Sequence, residues 1–222
     1  MPRSLKSVMV AVALLGTVAA CSGGAQQRDE GVHASAVCGK FAQAPSVASA
    51  LAKLAGTARF SEDGSEPNKA LATLRAADGK VDDSEMDGVP KCILRPPSGG
   101  DHLVTVSFRE AVVVLKANPE SEKSYTYYRT GASASASHRW ATIYFRCHMT
   151  KPEKNVIINA SLERESSVKL SGKREVDNQM LVANAAAQDV AQQLGCQGTN
   201  LSKGAPEAIS GVYGPHRVSS SG

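Results

Sequence analysis

The chain has 222 residues, of which 42 % are hydrophobic and 21 % charged, and its formal net charge is +4. Taking away the two leader cations, Arg3 and Lys6, leaves +2, which is no electrostatic footprint for nucleic acid, so no nucleic-acid partner is expected. About 200 residues follow the leader, the size of one domain or a tight pair.

Arg3 and Lys6 make a short positive start, and Val8 to Ala20 is an uncharged run of small and aliphatic residues. That run has the length of a signal-peptide core and falls short of the roughly 20 residues of a permanent span. Val18-Ala19-Ala20 leads directly into Cys21, a junction that resembles the bacterial lipobox. In such signals the cysteine thiol is diacylated and the leader is cut just before it. Residues 1–20 are therefore expected to be a lipoprotein signal peptide and Cys21 the lipid attachment site. One acyl chain holds only marginally, at about 0.8 kcal/mol per buried CH₂, whereas two on one cysteine give a stable anchor. The expected location is the outer face of the cytoplasmic membrane, with the membrane a partner through the lipid.

Residues 21–36 are small and polar, with Gly23, Gly24 and Gly31, and read as a flexible tether reaching roughly 20 Å. The folded domain is expected over 37–201. Pro45–Ala55 and Pro67–Ala77 carry leucines at helical spacing, each with proline at its start and glycine near its end. Lys80 to Gly88 is acidic and reads as a loop. Strands are expected at Cys92–Leu94, His102–Phe108, Ala111–Lys116, Tyr125–Arg129, Arg139–His148 and Val156–Glu163, from alternation or β-branched runs. The GASASAS stretch at 131–137 reads as a low-complexity loop. Gln179–Leu194 places Met180, Ala183, Ala187, Val190, Ala191 and Leu194 on one stripe, with Asp177 as a cap and Gly195 as a stop. Residues 202–222 show no periodicity and read as a loose tail. The order implies an α+β fold, a mostly antiparallel sheet packed with two N-terminal helices and one C-terminal helix.

Four cysteines remain once Cys21 is set aside, and an exported chain can keep disulfides. Four allow three connectivities. Cys38–Cys92 and Cys147–Cys196 are favoured: the first ties the helical start to the first strand, the second pins the last helix to a sheet strand. Zinc would need paired cysteine or histidine spacings that are missing here, so no metal and no cofactor are expected.

Three stretches together carry a resemblance: Val18–Cys21, the strand Ala141–Cys147 with its aromatic-x-Cys end, and the alanine-rich helix ending Ala191-Gln-Gln-Leu-Gly-Cys196. The chain resembles secreted lipoproteins of high-GC Gram-positive, streptomycete-like bacteria. The resemblance implies an exported, membrane-tethered α+β domain, and it supplies no functional residues.

Ser166-Ser-Val-Lys169 fits the S-x-x-K pattern, but it follows a strand and has no companion motif, so no catalytic residue is assigned. Glu62, Asp63, Asp82, Asp83, Glu85 and Asp87 lack the glycine and terminal glutamate of a calcium loop. The histidines are scattered. The face of Arg139–Cys147 opposite Cys147 is different: it carries Trp140, Thr142, Tyr144 and Arg146, and Tyr125 and Tyr127 share a face of their own strand. If these strands pair, Trp140, Tyr144, Arg146, Tyr125 and Tyr127 form an aromatic and basic binding surface; if a helix covers that face, Trp140 is core. The expected function is a membrane-anchored binding or interaction module for an envelope protein or a small molecule. A cell-envelope enzyme, or an accessory subunit of one, is the alternative.

Overall fold

The computed structural model describes residues 31–79, 88–114, 125–165 and 173–209. The leader, Cys21, Ser166–Lys169 and the acidic residues Asp82, Asp83, Glu85 and Asp87 lie outside them. The fold is α+β. Strands β3 (Val89–Leu94), β4 (Val104–Ala111), β5 (Thr126–Arg129), β6 (Ser133–Ala136), β7 (Trp140–Thr150), β8 (Glu153–Arg164) and β9 (Glu207–Ala208) form one antiparallel sheet in the order β3-β4-β8-β7-β6-β5-β9. The short pair β1 (Val32–His33) and β2 (Arg59–Phe60) stands apart. Helices α1 (Pro45–Ala55), α2 (Pro67–Ala76) and α3 (Lys173–Leu194) share one core with a single face of the sheet.

Strict alternation builds that core. On β4, β7 and β8 the inward residues are Val104, Val106 and Phe108, then Ala141, Ile143, Phe145, Cys147 and Met149, then Val156, Ile158, Ala160 and Leu162, all buried. The helices meet them with Val47, Leu51 and Leu54 of α1, Leu71 and Leu74 of α2, and Met180, Ala183, Ala187 and Val190 of α3. Burying a large aliphatic side chain is worth about 1.5–3 kcal/mol, so this layer drives folding. No described helix is long and apolar enough to cross a membrane.

Polar contacts orient the helices. Lys154 Nζ donates to the carbonyls of Arg75, Ala76 and Ala77 at 3.0, 3.3 and 2.8 Å, closing the C-terminal end of α2 with a cation where the helix dipole favours one. Arg75 Nη2 donates to Gln193 O near the end of α3 at 3.0 Å. The β3–β4 register shifts between Pro90 and Cys92, and at this irregularity Lys91 is re-aimed into the core to pair with Asp189 of α3. The disulfides Cys38–Cys92 and Cys147–Cys196 form with Cα–Cα distances of 5.5 and 4.7 Å, the pairing expected.

Several elements differ from the sequence-based expectation. Order begins before Val37, inside the stretch read as tether: β1 pairs with β2, and Ala34 is buried in a short 3₁₀ segment over Ala34–Gly39. It also continues past Leu201, where β9 joins β5 in the stretch read as tail. The hydrogen bonds holding that segment tie it to residues far off in sequence. Asn184 Nδ2 donates to Ser202 O at 2.8 Å, and Ser202 Oγ to Arg129 O at 2.8 Å. The GASASAS stretch contains a strand, β6, in which Ala134 and Ala136 face α3 and small side chains allow close approach. Of the strand expected over Ala111–Lys116, Ala111 is the end of β4, Val112 and Val113 are outside it and 54 % and 59 % exposed, and Leu115 and Lys116 lie outside the described residues. Helix α3 starts at Lys173, so Asp177 is no cap. It accepts instead from Tyr128 Oη at 2.7 Å and from Lys173 Nζ.

Candidate ligand-binding site

The residues that alternate with the core face away from every described helix, and register sets them in rows. Thr105, Glu163 and Trp140 stand side by side on β4, β8 and β7. One pleat further, Ser107, Ser161, Thr142, Ser135 and Tyr127 line up across β4, β8, β7, β6 and β5. The third row is Arg109, Asn159, Tyr144 and Ser133. Rows two residues apart are separated by roughly 7 Å, and neighbouring strands by about 4.8 Å.

Side-chain length turns this grid into a concavity. The middle row has only hydroxyl stubs on four strands, while the flanking rows carry long side chains. A depression of about 460 Å³ results, lined by all nine grid residues of β4, β8 and β7 and by Gly88 and Phe108. That volume lies within the usual range for small-molecule sites, about 300–1,000 Å³. The groove runs across the strands, from Ser107 toward Ser135 and Tyr127.

Its walls differ in chemistry. On one side stand the indole of Trp140, 41 % exposed, and the carboxylate of Glu163, whose Oε1 lies 3.8 Å from Arg139 Nη2. On the other, Tyr144 and Asn159 are only 5 % and 4 % exposed. Arg109 Nε donates to Asn159 Oδ1 at 3.4 Å, and the Arg109 guanidinium also donates to the Tyr144 hydroxyl. Burial pushes the Tyr144 phenol above its ordinary pKa, with the charge and hydrogen bond of Arg109 opposing the shift. Tyr144 therefore stays a neutral hydroxyl at physiological pH. Asn159 Nδ2 is buried and has no hydrogen-bond partner among the described residues. An unpaired buried donor costs about 1–3 kcal/mol, and this one belongs to a residue lining the concavity.

Tyr144 is held from behind by backbone. Gly131 has φ +61°, and a Cβ there would lie 2.4 Å from Tyr144 O, so glycine is required where the β5–β6 connection passes β7.

Of the five surface residues expected from sequence, Trp140 and Tyr144 line the concavity. Arg146 shares their face but stands one row beyond Tyr144, opposite Ile157, and outside it. Tyr127 ends the hydroxyl row and Tyr125 is exposed just before β5, so neither joins the lining. No described helix covers the face, and Trp140 is not core. Arg109, Asn159, Glu163 and Ser161 were missed by the sequence reading because β4 and β8 are adjacent in space and about 50 residues apart in the chain. The alternation of Thr105, Ser107 and Arg109 against Val104, Val106 and Phe108 was the available signal. Elsewhere, Glu62 Oε1 accepts from Cys38 N at 2.5 Å and Asp63 accepts from Ser61 Oγ at 2.8 Å, roles in local structure. Among the described residues, no group of His, Cys, Asp or Glu is placed to hold a metal ion. Comparison with protein families, with curated proteins and with solved structures finds no match for this chain.

Proposed function

We propose that this chain is a binding module whose ligand lies on the open face of its sheet, in the groove between the Trp140–Glu163 and Arg109–Asn159–Tyr144 walls. One observation carries the reading: a polar concavity that no described helix covers presents an exposed indole on one wall and the Arg109 guanidinium on the other. In this proposal the module belongs with the streptomycete-like secreted lipoproteins. Diacylated Cys21 holds it at the outer face of the cytoplasmic membrane, within reach of envelope components.

Two experiments test the two halves. For the site, fluorescence of the single tryptophan is titrated with an envelope extract divided into lipid, protein and soluble-glycan fractions. A saturable change with one fraction, abolished when Ser161→Arg fills the groove floor, is expected; no change with any fraction overturns the binding role. For the anchor, cells expressing the full chain are labelled with radioactive palmitate. Label on the wild type and its loss with release of protein in Cys21→Ala are expected, and an unlabelled wild-type protein overturns lipidation.

A further inference from the structure

We infer that the groove takes a neutral saccharide chain, lying across the strands with one ring stacked on Trp140. This rests on the binding role proposed above and names the class of ligand.

Charge argues first. The lining has one cation, Arg109, and one anion, Glu163, on opposite walls. A phosphate or carboxylate site concentrates donors of one sign, and this one is balanced. The floor argues second. Thr105, Ser107, Ser161 and Thr142 present hydroxyls with no large aliphatic side chain among them. An acyl chain or the apolar anchors of a peptide would find no hydrophobic slot there, and would strip water from those hydroxyls without replacing its hydrogen bonds. A sugar does replace them, since each of its hydroxyls both donates and accepts. The site offers the matching mixture: acceptor oxygens on Glu163, donors on Arg109, and hydroxyls of both kinds between.

The indole argues third. The face of a pyranose carries axial C–H groups that are apolar and slightly positive, and they seat on the negative face of an aromatic ring. Trp140 is the one large aromatic ring on the wall with an exposed surface, whereas Tyr144 is buried and offers only its edge and hydroxyl. The dimensions agree as well. The hydroxyl row repeats at the interstrand spacing of about 4.8 Å, close to the length that one pyranose adds to an extended glycan.

The test uses the full folded domain and defined probes: chitotriose for N-acetylated envelope-type glycan, and maltotriose and cellotriose for neutral glucans. Dodecanoate, inorganic phosphate and a neutral tripeptide serve as the other classes. Tryptophan fluorescence and isothermal titration read binding. Saturable binding of at least one trisaccharide is expected, with about tenfold weaker Kd in Trp140→Ala and in Glu163→Ala and no change in Arg146→Ala, which lies on the same face outside the groove. Near-ultraviolet circular dichroism of each variant checks the fold. Chitotriose binding alone points to envelope glycan as the source, and glucan binding to a free sugar. Binding of dodecanoate, phosphate or the tripeptide in the groove, with no trisaccharide bound, overturns the saccharide assignment and leaves the binding role standing. No binding by any probe overturns the saccharide, while the binding role falls only if the envelope fractions are also silent.

Discussion

Arg164, the last residue of β8, pairs with Glu175 in the first turn of α3, and both side chains are buried. Arg164 Nη2 also donates to His138 O at 2.9 Å, and Gln179 Nε2 donates to the same carbonyl at 2.8 Å. Sheet end, β6–β7 turn and helix start are thereby locked together. The pair lies on the core side of the sheet, the side on which α3 packs, and the groove lies on the face that no described helix covers.

Removing one partner strands the other charge inside the protein. Glu175→Ala is expected to lower stability by about 3–5 kcal/mol, whereas Arg164→Met with Glu175→Leu recovers most of that loss. Urea denaturation of both single variants and the double variant measures the coupling. Equal destabilisation by single and double variants would refute it.

Lys154 closes the end of α2 through three carbonyls. Lys154→Ala is expected to cost about 1–2 kcal/mol, and Lys154→Met nearly as much, because the loss lies in the charged donor and not in the methylenes. Thermal melts at two salt concentrations would show it, the difference from wild type narrowing at high salt because two of the three bonds are solvent-exposed.

Tyr128 donates to Asp177 across the sheet–helix boundary, and burial foremost, then that hydrogen bond and the Asp177 charge, push its phenol well above the ordinary value. The folded state thus holds the proton after an unfolded tyrosine, with pKa about 10, has lost it. The unfolded chain binds fewer protons above that pH, so stability is complete below about pH 10 and falls as pH rises further. Tyr128→Phe is expected to cost about 1 kcal/mol at neutral pH and to flatten the alkaline fall. Chemical denaturation at a series of pH values from neutral to strongly alkaline tests this, and an unchanged slope would contradict it.

Gly131→Ala should be the most damaging change of a small surface residue. It combines a left-handed backbone with a Cβ set against Tyr144 O. A cost of about 1–3 kcal/mol is expected, with weakened ligand binding because Tyr144 must shift. Ala132→Gly, next to it, is the comparison; equal loss in both would remove the steric explanation.

The two disulfides close loops with sequence separations of 54 and 49, each worth about 4 kcal/mol by loop-closure entropy. Cys147→Ser with Cys196→Ser is expected to lower the melting temperature and to raise hydrogen exchange at the end of α3 before it does so in β4. Uniform exchange gains throughout the chain would contradict the local role.

By itself the sequence determined much of the secondary structure and one partner set. Helices α1 and α2 and strands β7 and β8 announce themselves because a 3.6-residue or two-residue period is a local property, legible wherever one face is buried. The cysteine pairing was legible in part for a related reason: Cys92 and Cys147 lie on strands and Cys196 follows the end of α3. The alternation on β7 set Trp140 and Tyr144 on the face opposite Cys147, and left open whether a helix covers that face. Only the tertiary structure decided that β8 lies between β4 and β7, which brings Arg109 and Asn159 to Tyr144 and Glu163 to Trp140. Strand neighbours are chosen by which apolar faces pack under α3 and by where Arg164 and Lys91 find their acids, and those are long-range events that no window of sequence contains. The same holds for β6 and β9. Alanine and serine specify no strand alone, and they become one when a helix leaves room only for small side chains and a neighbouring edge has hydrogen bonds to fill.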